Sequence, residues 1–185
     1  DNKLFVGSAT FNYFIPIIRE IYLLLGGVDC SRPVLDKLLK LGNCVAIFLG
    51  GAHESIYSGL GQNKLMVNNR WGIFKISIEN GFDIIPIFTF QENNLFNAYL
   101  NNNYLNKIFH KFTGLWLPVG YFNFKKIKYI TVIGRAISVE KNVNYTKKDL
   151  IDLKDKYKNE LNYLFEKYKY LDPYLEANVK LEFKP

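Results

Sequence analysis

Arg32 and Arg70 each stand where a helix is predicted to begin, just after a short β-rich run. A helix N-terminus already carries partial positive charge, so a cation there is unfavourable by roughly a few tenths of a kcal/mol. An anion bound at the same spot reverses the sign, because free backbone N–H groups and an arginine together make a phosphate or carboxylate site. One such arginine reads first as solvent-facing or paired with an acid; two, each after a predicted strand, point toward an anionic ligand. Gly50-Gly51-Ala52-His53-Glu54 also leaves a predicted buried strand. Ligands of open α/β sheets bind beyond the carboxyl ends of the strands. Glycines there let the backbone approach a ligand or donate N–H groups to a developing oxyanion, and Glu54 has the reach to hold a histidine or an arginine. An ordinary strand-to-loop turn is the plainer reading of the same residues.

His53 suits general-base work near neutral pH, yet a loop histidine reads first as a surface residue. His110, late in a polar helix, reads as a solvated side chain. Arg19 and Glu20 interrupt an apolar run; such charges lie at a solvent edge, pair with each other, or line a pocket. The run itself, Phe11 to Gly27, reads as core by default, and otherwise as a wall of an acyl-chain groove or a patch resting on a membrane. Lys125, Lys126 and Lys128 lie beside Tyr121, Phe122, Phe124 and Tyr129, a cluster suited to anionic lipid or nucleic acid, or simply a solvated loop and strand edge. No nucleic-acid-binding motif is present.

The elements that must position these residues alternate helices with short apolar strands, which argues for an α/β domain with a largely parallel sheet. Pro16 suits the first turn of a helix running to about Leu25, stopped by Gly26-Gly27. Val28 to Cys30 is a short strand. Ser31-Arg32-Pro33 opens a second helix with Leu35, Leu38 and Leu39 on one face, ended by Gly42. Cys44 to Leu49 reads as a buried strand and Lys64 to Val67 as a short extended piece. The stretch Arg70 to Asn93 then packs an arginine, a helix from Trp71 to Asn80, a stop at Gly81, a buried strand from Ile84 to Phe90 and a Glu-Asn pair into one unit. Asn94 to Lys111 reads as a helix and Tyr129 to Ile133 as a strand. Thr146-Lys147-Lys148-Asp149 is a variant capping box for a last helix reaching about Lys169. Leu150, Leu153, Tyr157, Leu161, Leu164 and Phe165 fall on one face of that helix.

A chain of 185 residues with 49% hydrophobic and 16% aromatic residues can bury a full core in one domain and is not disordered. A formal charge of +7 favours anionic partners such as a membrane surface or a phosphorylated molecule. Two cysteines, Cys30 and Cys44, and two histidines do not make a convincing zinc site; two buried thiols in a reducing compartment is the simpler reading. Asn144-Tyr145-Thr146 matches a glycosylation sequon, but Thr146 is better used as a helix cap. No apolar run reaches the roughly 18 residues that cross a bilayer, and no secretory signal is present. Because the chain opens on Asp1, it is expected to be cut from something longer.

Six elements in register resemble the type-2 diacylglycerol acyltransferase family, which also includes monoacylglycerol and wax-alcohol acyltransferases. Pro16-Ile17-Ile18-Arg19-Glu20 is similar to its Pro-x-x-Arg-Glu element, and Gly27 to Arg32, with Ser31, to its Gly-x-x-x-Ser-Arg element. Gly50-Gly51-Ala52-x-Glu54 is similar to its Gly-Gly-Ala-x-Glu turn. Arg70, Gly72, Lys75, Gly81, Pro86, Phe90, Glu92 and Asn93 match its longest signature. Thr131 to Ile137 and Leu164 to Lys169 resemble its late strand and its closing Leu-Phe-x-x-His-Lys.

The resemblance implies a glycerolipid-acyltransferase-like fold, a largely parallel central sheet flanked by helices. It implies transfer of a fatty acyl group from acyl-coenzyme A, a co-substrate rather than a cofactor, to a lipid alcohol, diacylglycerol first, at the cytosolic face of the endoplasmic reticulum membrane. Glu54 would be the supporting catalytic residue. Arg19, Glu20, Ser31, Arg32, Gly50, Gly51, Arg70, Gly72, Lys75, Pro86, Phe90, Glu92 and Asn93 would bind substrate. A membrane surface is an expected partner, nucleic acid and metal are not, and self-association stays open.

The departures are Ile73 for phenylalanine, Ser77 for alanine, Gln91 for the glycine before Glu92, Ala136 for proline and Tyr168 for histidine. The loop before Tyr129 is short and lacks the family's Gly-Arg-Gly. The His-Pro-His-Gly motif, whose histidine is held to deprotonate the acceptor hydroxyl, is absent from residues 1–185, which form a single acyltransferase domain; the resemblance places that motif and a membrane hairpin upstream of Asp1. The alternative is a non-catalytic relative that binds lipid or acyl-coenzyme A.

Overall fold

The computed structural model describes residues 2–51, 54, 63–92, 96–98, 120–122 and 128–185. The architecture is α/β, with strand pairing parallel in three of the five strand pairs among those residues. Backbone packing groups the chain into two units, Asp1–Gly51 and Ala52–Pro185.

In the first unit, β1 (Leu4–Ser8) is the middle strand of a parallel sheet. It is followed by α1 (Ile18–Leu24), β2 (Gly27–Asp29), α2 (Arg32–Lys40) and β3 (Cys44–Ile47), in the strand order β2-β1-β3. The chain therefore leaves β1 toward one neighbour and returns on its other side, which makes the carboxyl ends of β1 and β3 a topological switch point. Gly50 and Gly51 follow β3 at that end. The glycine that opens the Gly-x-x-x-Ser-Arg element has a steric reason. A Cβ on Gly27 would lie 2.7 Å from the Tyr22 carbonyl oxygen, so only glycine lets α1 cross the start of β2 so closely.

Four expectations change here. The first helix starts at Ile18 and not at Pro16, because Ile17 takes a left-handed backbone, φ 72°, that a helix cannot continue. The run from Phe11 to Gly27 is not core: Phe14, Ile17, Ile21, Leu24 and Leu25 are exposed, Leu24 at 86%. A seven-residue helix whose apolar residues spread beyond one face can bury only one side of them. Strand β3 stops at Ile47, with Phe48 70% exposed, because it pairs on one side only among the described residues. For the same reason the thiols are not a buried pair: Cys44 is exposed and Cys30 half-buried.

The second unit runs β4 (Lys64–Met66), α3 (Gly72–Asn80), β5 (Ile87–Phe90), β6 (Phe96–Ala98), β7 (Gly120–Phe122), β8 (Ile130–Ile133), α4 (Lys147–Tyr168) and β9 (Glu182–Lys184). Strands β4 and β9 pair in parallel; β5 with β8 and β6 with β7 pair antiparallel. Helix α3 ends at Gly81 with φ 74°, the left-handed stop that glycine supplies at no steric cost. Helix α4 opens on the anticipated capping box. The Asp149 N–H donates to Thr146 Oγ1 at 3.3 Å, and the Thr146 N–H donates to Asp149 Oδ2 at 2.7 Å.

The anticipated apolar face of α4 builds the core. Leu150 and Leu153 join Val67, Phe74, Ile78, Ile84 and Val139 in one cluster; Leu161 and Phe165 join Phe90 and Leu181 in another. The expected continuous strand from Ile84 to Phe90 is broken. Pro86 has no N–H for a ladder, so Ile84 makes an isolated bridge to Ile137, the Pro86 carbonyl accepts from Gly134 N–H at 2.8 Å, and pairing with β8 begins at Ile87. The strand is also not buried throughout: Ile85 and Ile87 are exposed while Phe90 is buried. The helix expected over Asn94 to Lys111 fails at Phe96–Ala98, which pairs with Gly120–Phe122 as a strand; the rest of that span lies outside the described residues.

Candidate functional site

Glu54 is a desolvated carboxylate of the second unit. Its Oε2 accepts the Met66 N–H at 2.9 Å, which ties it to the end of β4. Burial raises its carboxyl above the usual range; the Met66 N–H opposes this, the Glu92 charge adds to it, and Arg70 opposes it. Partial desolvation also raises the Glu92 carboxyl, although that residue is exposed overall. Tyr157 of α4 is held protonated well above its ordinary range, first by burial and then by the Glu54 charge. One arginine, two carboxylates and a phenol therefore share a single field, although they come from four separate parts of the chain.

Local structure delivers each of them. Arg70 sits in a turn closed by its own N–H to the Val67 carbonyl at 3.0 Å, immediately before Trp71 and α3. Asn68 anchors that turn to β9, donating Nδ2 to the Phe183 carbonyl at 2.9 Å and its N–H to the Lys184 carbonyl at 3.2 Å. Glu92 follows β5, whose last residue, Phe90, is buried against Phe165. Between them Gln91 has φ 65°. That left-handed backbone favours glycine, which the resembled signature has before its Glu-Asn pair, and this chain holds glutamine in it instead. A buried carboxylate raised by its own desolvation and by a second carboxylate, beside an arginine, binds a proton more readily than a free one and can accept hydrogen bonds from a hydroxyl or amide of a ligand.

The other anticipated residues divide. Pro86 and Phe90 are buried and shape β5. Gly72 and Lys75 lie exposed on α3. Arg19 and Glu20 form an exposed ion pair at 3.9 Å, the solvent-edge reading of those two charges. Arg32 pairs with Asp36 one turn along α2 at 3.8 Å. Ser31 makes no side-chain cap; the Asp29 carboxylate accepts its N–H at 3.0 Å and the Thr10 hydroxyl at 2.6 Å. Gly50 is buried, and Gly51 is exposed with φ 58°. Asn93, His53, His110, Lys125, Lys126 and Phe124 lie outside the described residues. Sequence reasoning missed Tyr157 as a site neighbour, because on an amphipathic helix it is indistinguishable from core. It does pack there too, edge-on to Phe74 at 5.6 Å. Among the described residues no helix is long and apolar enough to cross a membrane.

Comparison with known proteins points one way. A family model described as diacylglycerol acyltransferase matches residues 3–184. Among curated proteins, the 2-acylglycerol O-acyltransferase 1 of Bos taurus is 31% identical over 90% of this chain and 57% of its own length. The diacylglycerol O-acyltransferase 2 of Homo sapiens is 30% identical over 89% of this chain and 47% of its own. The diacylglycerol O-acyltransferase 2B of Umbelopsis ramanniana is 28% identical over 91% and 54%. The chain thus spans about half the length of the curated relatives it matches. No solved structure matches it.

Proposed function

We propose an acyl-transfer role from the premise that this chain belongs to the diacylglycerol acyltransferase family. The protein moves a fatty acyl group from acyl-coenzyme A to the hydroxyl of a lipid alcohol, with diacylglycerol as the acceptor. A histidine of the His-Pro-His-Gly type, which the resemblance places ahead of Asp1, takes the hydroxyl proton. The alkoxide attacks the thioester carbonyl, the carbon–sulfur bond breaks, and the proton passes to the leaving thiolate of coenzyme A. The chemistry needs no metal or further cofactor.

The observation that carries this reading is the Glu54 cluster. The charges of Arg70 and Glu92 of the long signature, far apart in sequence, both act on the glutamate of the Gly-Gly-Ala-x-Glu turn. In this reading Glu54 supports the reacting groups and Arg70 meets the phosphates of coenzyme A or the polar head of the acceptor. The exposed apolar residues around α1 support a lipid-facing surface, and the endoplasmic reticulum membrane is the proposed setting. The test is acyl transfer from radiolabelled acyl-coenzyme A to diacylglycerol by the protein that includes the His-Pro-His-Gly segment and by its Arg70→Ala variant. The variant is expected to show a raised KM for acyl-coenzyme A or a reduced rate; both constants unchanged would exclude Arg70 from the site.

A further inference from the structure

The C-terminal segment holds residues next to both charged neighbours of Glu54: Asn68 and Trp71 near Arg70, and Gln91 before Glu92. On one side, Lys154 is buried within α4, donates Nζ–H to the Asn68 carbonyl at 2.7 Å, and stands 3.0 Å from the centroid of the Trp71 ring. Asn68 and Trp71 bracket Arg70, so one ammonium holds the turn at both of its ends. On the other side, the chain leaves α4 through a 3-10 turn, Lys169–Leu171, into buried Asp172. Asp172 Oδ2 accepts the Gln91 N–H at 3.2 Å, and the Leu171 carbonyl accepts from Gln91 Nε2 at 3.3 Å. These bonds sit on a non-glycine residue in the left-handed region, a conformation that persists only where the surroundings impose it. A buried ammonium is likewise no asset to an apolar helix face, where leucine or methionine packs without desolvating a charge. Two locally unfavourable choices therefore fall on the two segments that flank Glu54.

We propose that α4 and the turn after it form a two-point clamp, in which Lys154 positions Arg70 and Asp172 positions Glu92, so that the C-terminal segment sets the balance of charge around Glu54. Its functional meaning rests on reading Glu54 as the supporting carboxylate of the acyl-transfer site. The clamp itself can be measured without turnover.

Glu54 is faced by the Met66 N–H, Glu92, Arg70 and Tyr157. Loosening Arg70 withdraws an attractive charge, whereas loosening Glu92 withdraws a repulsive one. The experiment follows the Glu54 carboxyl carbon by NMR through a pH titration of the full chain labelled at glutamate. Lys154→Met is expected to move its midpoint up, and Asp172→Ala to move it down, each by at least about 0.5 pH unit. Lys154→Arg, which keeps the cation and its donors, is expected to leave it in place. Loss of the Lys154 or Asp172 charge would by itself shift the midpoint in these same directions, so Trp71→Leu, which removes no charge, is measured beside them: an upward shift supports the clamp and no shift overturns it. Shifts of the same sign, no shift, or a shift in one variant alone overturns the clamp. Should Lys154→Met fail to fold, Trp71→Leu removes the ring beneath the ammonium and is expected to give the same upward shift. If the opposite shifts appear while the protein that includes the His-Pro-His-Gly segment transfers no acyl group, the clamp stands and the enzymatic reading falls.

Discussion

Replacing Glu54 separates the two things its carboxylate does. With Glu54→Gln, an amide oxygen can still accept the Met66 N–H now made at 2.9 Å. A bond to a charged acceptor contributes about 1.5–3 kcal/mol and a neutral one about 0.5–1.5, so the exchange loses about 1 kcal/mol. Against that stand the removal of a desolvated charge and of repulsion from Glu92, less the lost attraction of Arg70. Stability near pH 7 is therefore expected to change by less than about 1 kcal/mol. Glu54→Ala removes the acceptor and leaves the Met66 N–H without it, at about 1–3 kcal/mol.

The pH dependence has a definite sign. The folded carboxyl sits above its unfolded value, so the folded state binds more protons through that window, and stability falls as pH rises through the folded pKa. Urea unfolding of the wild type at a series of pH values should show this fall, and Glu54→Gln should lack that part of it. In the acyl-transfer assay Glu54→Gln is expected to lose at least about tenfold in rate, equivalent to about 1.4 kcal/mol in the barrier. Full turnover in Glu54→Gln would refute the supporting role. Equal stability of Glu54→Ala and Glu54→Gln would refute the assignment of the Met66 bond.

Phe165 is fully buried and packs on Phe88 at 5.5 Å and Phe90 at 6.1 Å; Phe165→Ala should destabilise the fold by about 3–5 kcal/mol in urea, and a loss under about 1 would contradict that packing. Gly27→Ala must displace the Tyr22 backbone and should cost about 1–3 kcal/mol, read as a lower Tm; an unchanged Tm would show that α1 is not held against β2. Burial raises the Asp29 carboxyl, but its bonds from Thr10 and Ser31 outweigh this and leave it below the usual range. It therefore contributes stability above its unfolded value that is lost as pH falls through the folded one, and Asp29→Asn should flatten the acid limb of the stability profile.

What the sequence determined by itself is what short-range chemistry decides. The capping box at Thr146, the left-handed stop at Gly81 and the turn of Arg70 into α3 each involve residues within a few positions of one another, and each is where local preference puts it. The apolar face of α4 was legible for the same reason, since helical spacing alone selects Leu150, Leu153, Leu161 and Phe165. Gly27 and the residue before Glu92 were legible only as motif positions; the crossing of Tyr22 and the positive φ of Gln91 give them their cause.

Tertiary structure decided the rest. Phe96–Ala98 becomes a strand because a partner more than 20 residues away offers its ladder, and Ile85 and Ile87 are exposed because they alternate with buried Ile84 and Pro86 and only that face meets the core. Core and surface are likewise non-local: the apolar residues of α1 stay exposed although nothing in their types distinguishes them from those of α4. The candidate site follows the same division. Glu54, Arg70 and Glu92 were each recognisable as residues able to do chemistry. That Arg70 and Glu92 act on Glu54, with the Glu54 charge acting on Tyr157, depends on chain segments brought together across the fold, because electrostatic coupling depends on distance in space and not on distance along the chain.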